Sequence, residues 1–371
     1  MRCGVNARRL AGQRTGVGRY IEYLLKHWDR QRAADDRFTL FVRSPFQRSE
    51  LGLSNAFDIR LLTPSLTGIL WENVHLPRQA SGLDVLFCPS YSAPLGYRGR
   101  LVVAIHSVNE IQAGAHPWWY PYTYGGLYRR SAAMADRVIV PTETTKRDLE
   151  RYYGLPAERM DVVEQGADDT FRPIADAAAL GAVRRKYLGA DAPYVLFVGT
   201  LSERRNTGNL LRGFAIAKKR GRFPHKLLLF GPNPHGIPLA PLARSLGIDN
   251  DVVQTDGRIG SHAEIVPVYC GADVFVHPSL YEGFSMTTVE ALACGVAVIA
   301  ANRGGLGDIA NGYARMLEDP TGEAIAEAIY EVLSDPQRRK ALQERALERA
   351  QAFRWENTAR KTMDILRRVA G

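Results

Sequence analysis

The chain has 371 residues, 46% hydrophobic and 23% charged, and 48 Lys and Arg against 39 Asp and Glu give it a net charge of +9. That length suits two domains of ordinary size and the composition is globular, with no long apolar run to span a membrane and no signal-peptide core in Met1-Arg2-Cys3-Gly4-Val5-Asn6. The positive excess favours anionic partners, yet no nucleic-acid module stands out, and Cys3, Cys88, Cys270 and Cys294 stand too far apart for a Cys-x-x-Cys site, so they read as buried thiols of a cytoplasmic protein.

The chain opens on a strand and then enters a Gly- and Arg-rich loop, from which Val17-Gly18-Arg19-Tyr20-Ile21 starts a helix. Gly16 and Gly18 at this strand-to-helix turn let backbone amides approach a phosphate or sugar, or simply make a tight turn. A dinucleotide fingerprint needs a third glycine where Ile21 stands, which weakens an oxidoreductase reading. Residues 38–42, 84–88, 101–105 and 137–140 read as strands of a buried parallel sheet. His106 lies just past the third of these, where ligands collect in open parallel sheets; a solitary His is also a common structural residue. The following stretch holds Trp118, Trp119 and Tyr122 near Arg129 and Arg130, a patch suited to stacking on an acceptor sugar, to a membrane interface, or to plain packing. Thr142 is placed to cap a helix, a further strand covers 160–164, and the turn-rich segment 165–173 marks the domain boundary. The expected domains are 1–172, 173–352 and a terminal segment 353–371.

The second half repeats the pattern. A buried strand ending in Val198-Gly199 leads into Thr200-Leu201-Ser202-Glu203-Arg204-Arg205-Asn206 and a helix from about Thr207. Arg204 and Arg205 at the end of a parallel strand are suited to grip a diphosphate, because guanidinium binds phosphate oxygens bidentately. Asp249-Asn250-Asp251 has the spacing of a metal-binding Asp-x-Asp, but it sits in a short loop before strand 252–254 and reads as a polar turn. Next comes a strand to His277, a loop Pro278 to Phe284, a helix capped by Ser285 and closed by Gly295, and a strand from Val296 to Ala300. Gly283 permits close backbone approach, and the amides of Phe284, Ser285 and Met286 form a positive pole suited to an anion. Glu282 and Glu290 flank that pole. Carboxylates repel a bare phosphate but accept from hydroxyls, so a diphosphate bearing a ribose on one side and a hexose on the other fits the set. From residue 321 on, Ala, Leu, Glu and Arg in amphipathic spacing predict helices.

Glu282 and Glu290, within Glu-Gly-Phe and Glu-Ala-Leu-Ala-Cys-Gly, resemble the Glu-x7-Glu motif of retaining glycosyltransferases of family 4. Val198-Gly199-Thr200-Leu201-Ser202-Glu203-Arg204-Arg205-Asn206 is similar to that family's Gly-Thr-Leu-x-x-Arg-Lys-Asn segment, and Gly16-Val17-Gly18-Arg19-Tyr20 to its amino-terminal glycine loop. The resemblance implies an α/β protein of GT-B type: two Rossmann-like parallel-sheet domains facing across a cleft, acceptor on the first and nucleotide sugar on the second, with a final helix crossing back to the first.

By the same resemblance His106 contacts the transferred sugar or its acceptor, and Gly257, Arg258 and Ile259 meet the nucleobase. Arg204 and Arg205 stabilise the leaving diphosphate, Glu282 holds sugar hydroxyls, and Glu290 holds those of the ribose. Ser107, Arg205 and Gly307-Asp308 depart from the family pattern, where Asp, Lys and Pro-Glu are usual. The implied activity is metal-independent hexosyl transfer, with mannosyl favoured. The co-substrate is GDP-mannose or a UDP-hexose, with no further cofactor, and the acceptor is a saccharide or lipid-linked oligosaccharide of bacterial polysaccharide synthesis. Peripheral contact of the first domain with the membrane's inner face stays open. A nucleotide-sugar epimerase, or a sensor that binds donor without turnover, remains the alternative on the same fold.

Overall fold

The computed structural model describes all residues except 13, 15, 112–119 and 258–263. Thirteen strands form in the described chain: β1 Arg2–Asn6, β2 Arg37–Val42, β3 Phe57–Leu61, β4 Val85–Cys88, β5 Leu101–Ala104, β6 Arg137–Val140, β7 Met160–Val162, β8 Tyr194–Val198, β9 Lys226–Phe230, β10 Val252–Thr255, β11 Val274–His277, β12 Val298–Ala301 and β13 Arg315–Leu317. They divide into two sheets ordered β3-β2-β1-β4-β5-β6-β7 and β10-β9-β8-β11-β12-β13, parallel throughout. Two compact units follow, Met1–Gly166 with Arg354–Gly371, and Ala167–Phe353.

Parallel strands linked by helical crossovers are covered on both faces, which explains the continuous apolar runs that make them recognisable. All five residues of β8 are buried, and they alternate between two cores: Tyr194, Leu196 and Val198 pack on one face of the sheet, Val195 and Phe197 on the other. Each fully buried side chain of this kind contributes about 1.5–3 kcal/mol. In both sheets the strand order reverses beside the first strand of the unit, between β1 and β4 and between β8 and β11. The loops leaving the carboxyl ends of the two strands at such a reversal diverge, and they leave a crevice where ligands of doubly wound sheets bind.

In the first unit the helix Trp355–Ala370 packs against the helix Val17–Gln31. Trp28 Nε1 donates to the Ala359 carbonyl at 2.9 Å, and the rings of Tyr23 and Trp355 stack at 4.8 Å. Thr358 Oγ1 also donates to the Glu164 carbonyl at 2.7 Å. Local expectations hold where a specific bond makes them: Thr142 Oγ1 accepts from the Thr145 amide and Ser285 Oγ from the Thr288 amide, each capping a helix. Cys3, Cys88 and Cys294 are buried free thiols, whereas Cys270 is half-buried, a departure from the expectation that all four are enclosed. Asp249-Asn250-Asp251 forms the expected polar turn, and the Asp251 carboxylate pairs with Lys218 at 2.9 Å. Among the described residues no helix is long and apolar enough to cross a membrane.

Candidate functional site

In the second unit a cluster of charged residues lies at the β8/β11 reversal. A 3-10 turn, Glu203–Arg205, capped by Ser202, follows β8 and projects Arg204 and Arg205; the loop after β11 carries Glu282. Arg204 Nη1 donates to Glu282 Oε1 at 2.7 Å and to the Tyr281 carbonyl at 2.6 Å. Arg205 Nη1 lies 2.9 Å from the same Glu282 oxygen and 2.9 Å from His277 Nε2. Among the described residues, Arg205 Nε is buried with no partner. Both guanidiniums meet Glu282 through Nη1.

Burial by itself raises the Glu282 pKa, but Arg205, then His277 at 3.7 Å and Arg204, outweigh it and hold the carboxyl well below its usual range. Arg205 is pressed in the opposite sense, downward by burial, with Glu282 opposing. The residues that sequence reasoning treats as two separate features, an arginine grip and a hydroxyl-seeking carboxylate, are therefore one ion-paired cluster, with Glu282 buried and both arginines half-buried.

The loop is locked from the far side. Gly304 has φ of +56°, and a Cβ there would fall 2.3 Å from the Glu282 carbonyl, to which the Gly305 amide donates at 2.6 Å. Only glycine fits this approach without strain. Beyond Glu282, Gly283 is buried and Phe284 packs edge-on against Phe353 at 6.0 Å. Ser285 then caps the eight-residue helix Met286–Ala293, its Oγ accepting from the Thr288 amide. Glu290 lies buried within that helix and accepts from Tyr269 OH at 2.9 Å.

Two family models match in tandem: Glycosyltransferase Family 4 over residues 14–171 and Glycosyl transferases group 1 over residues 183–349. The chain belongs to the group 1 glycosyltransferases. Curated relatives include D-inositol 3-phosphate glycosyltransferase of Kineococcus radiotolerans, 35% identical over 63% of this chain and 58% of that one. O-antigen chain mannosyltransferase B of Escherichia coli is 26% identical over 94% and 95% of the two chains. The chain thus spans little more than half the length of the inositol phosphate enzyme it matches. Among solved structures, sucrose-phosphate synthase of Thermosynechococcus elongatus superposes with TM-score 0.80 at 22% identity, over 99% of this chain and 98% of that one. HepE of Anabaena, in a structure described as a complex with UDP and glucose, does so with TM-score 0.80 at 18% identity, over 99% of each chain. These likenesses show the GT-B fold.

In this group 1 glycosyltransferase Gly257 lies in the second unit, with φ of +68° and its backbone close against Gly231, and the remaining sequence-derived positions lie in the first unit or outside the described residues. Gly16 is the cap of the helix Val17–Gln31 and Gly18 lies buried in its first turn. His106 is engaged at both ring nitrogens: Nε2–H donates to the Pro89 carbonyl at 2.8 Å, which makes Nδ1 the acceptor from Gln165 Nε2 at 3.1 Å. Burial lowers its pKa to about 4, so the ring is neutral. It packs edge-on against Tyr20 and Tyr91, and Tyr91 continues into Tyr128 at 5.2 Å. Tyr122 is 81% exposed, whereas Tyr120, Tyr124 and Tyr128 of the same segment form a ladder of ring contacts. Trp118, Trp119, Arg258 and Ile259 lie outside the described residues.

Sequence reasoning passed over His277 and Tyr269. The signal for His277 was present, since it ends β11 as His106 follows β5, at a position where the parallel fold collects function. Tyr269 had none: it lies on the helix Val266–Cys270 and reaches Glu290 only through tertiary packing.

Proposed function

We propose that the chain transfers a hexosyl group, mannosyl in the first instance, from a nucleotide sugar to a hydroxyl of a saccharide or lipid-linked acceptor in bacterial polysaccharide synthesis, with retention at the anomeric carbon. The observation that carries this is the pair Arg204 and Arg205 past β8, facing Glu282 past β11, at the reversal of strand order. The mannosyl choice draws on the Escherichia coli O-antigen relative, which matches over nearly the full length of both chains.

In this reading the leaving diphosphate gathers negative charge as its bond to the anomeric carbon breaks. Two guanidiniums and the amides of Phe284 to Met286 stabilise that charge. The acceptor hydroxyl forms the new bond from the same face, and its proton passes to the departing diphosphate oxygen. Glu282, given over to a sugar hydroxyl once the diphosphate holds the arginines, is not left as a nucleophile, which favours this front-face path over a covalent intermediate. Glu282 and Glu290 take hydroxyls of the sugar and the ribose, and the arginines supply the cationic charge that a metal provides elsewhere. On the acceptor side the ring ladder of Tyr91, Tyr124 and Tyr128 around His106 offers stacking faces for a pyranose.

A panel of GDP-mannose, UDP-hexoses, their nucleoside diphosphates and nucleosides, read by thermal shift, tests this. Ligand that binds only folded protein raises the midpoint. At least one nucleotide sugar is expected to do so, and the anomeric signal of its product by NMR is expected to keep the donor's configuration, with turnover retained in excess EDTA. Absence of a shift with every member of the panel overturns the reading.

A further inference from the structure

Resting on that reading, a residue assigned no role so far acts through Arg205. His277 is wholly buried at the carboxyl end of β11, with Phe197 at 6.1 Å on one side and Phe275 at 5.8 Å on the other. Its Nε2 lies 2.9 Å from Arg205 Nη1 and 3.1 Å from Ser279 Oγ. A guanidinium only donates, so Nε2 accepts and the ring proton resides on Nδ1. Among the described residues that Nδ1 is buried without a hydrogen-bond partner. A buried donor left unpaired opposes folding, and an apolar side chain between two phenyl rings would avoid it. The imidazole stays for what its other nitrogen does.

We propose that His277 is a positioning residue whose Nε2 lone pair fixes Arg205 against the donor's diphosphate, and that the diphosphate replaces Glu282 as counter-charge to the arginines. Each Nη1 carries two hydrogens. Arg205 Nη1 bonds to His277 and meets Glu282 as an ion pair at 2.9 Å, while Arg204 Nη1 donates to both the Tyr281 carbonyl and Glu282. When the diphosphate arrives and Glu282 turns to a sugar hydroxyl, the other bond of each arginine remains, so the forks keep their place. Burial lowers the His277 pKa to about 4, which keeps the accepting lone pair available at neutral pH.

The test compares His277→Leu, His277→Asn and His277→Gln. Gln sets an amide oxygen near the position of Nε2; Asn is polar but too short to reach Arg205, and Leu has no acceptor. GDP and UDP are titrated by calorimetry, guanosine and uridine by saturation-transfer NMR. Leu and Asn are expected to weaken the preferred diphosphate by about tenfold or more, Gln by about threefold or less, with nucleoside binding unchanged in all three. Asn carries the comparison if Leu does not fold. Wild-type diphosphate affinity in Leu or Asn overturns the proposal, as does an equal loss of nucleoside and diphosphate, which would mark a structural role. A wild-type protein that binds neither diphosphate overturns the donor reading itself and this inference with it.

Discussion

Glu282 stays ionised inside the protein because two guanidiniums surround it, and that makes it a competitor of any anionic ligand. Its side chain is 7% exposed, and the same oxygen serves both arginines. Removing one partner of such a pair leaves uncompensated buried charge, at a cost of about 3 kcal/mol. Glu282→Gln is therefore expected to lower the stability of the ligand-free protein and yet bind GDP or UDP several-fold more tightly, while transfer falls for want of a sugar contact. Calorimetry and initial rates on the purified variant check both parts. Weaker diphosphate binding would mean that Glu282 holds the arginines in place rather than screening them. At this scale Arg204, Arg205, Glu282 and Glu290 stood out as candidates from residue type, their places at strand ends and a helix start, and the family resemblance. Their pairing was not, because the chain separates Arg204 from Glu282 by 78 positions and only adjacent strand ends bring them together.

Parallel strands deliver side chains at their carboxyl ends, and in both units a histidine occupies that position. His106 after β5 and His277 ending β11 are neutral in the fold, each with a pKa lowered by burial from the ordinary 6.5 to about 4. Between those values the unfolded chain binds a proton that the folded chain does not, so stability rises with pH across that window and falls on acidification. Glu282 acts lower: its depressed carboxyl contributes stability that begins to be lost only as pH drops past the ordinary 4.5. Urea midpoints are thus expected to fall between pH 7 and 5, with a smaller fall in His106→Gln and His277→Gln. An equal slope in wild type and both variants would assign the loss to other groups. Interior strands such as β4, β5, β8 and β12 were readable as apolar runs. The edge strands β3 and β13 were not, for Phe-Asp-Ile-Arg-Leu and Arg-Met-Leu mix charge into short segments whose exposed positions need no apolar residue.

At the scale of the whole chain, the two units have their own sheets and their own charge distributions, and the arginine cluster belongs to the second alone. A nucleoside diphosphate at saturating concentration is expected to slow amide hydrogen exchange chiefly within residues 199–206 and 277–290. At about 100 times its dissociation constant it stabilises the folded state by about 2.7 kcal/mol. Mass spectrometry of exchanged peptides checks this, and protection centred on the first sheet would move the donor to the other unit. The parallel α/β class, most interior strands, the strand-end placement of the arginines and the helix cap at Ser285 follow from the sequence by itself, because each depends on neighbours a few positions apart. The shared counter-ion at Glu282, the buried lone pair of His277, the Tyr269 bond to Glu290 and the glycine lock at Gly304 were decided by the tertiary structure. Each joins segments that meet only after the strands have packed side by side, and neither composition nor periodicity records which loop ends will then lie within hydrogen-bond reach.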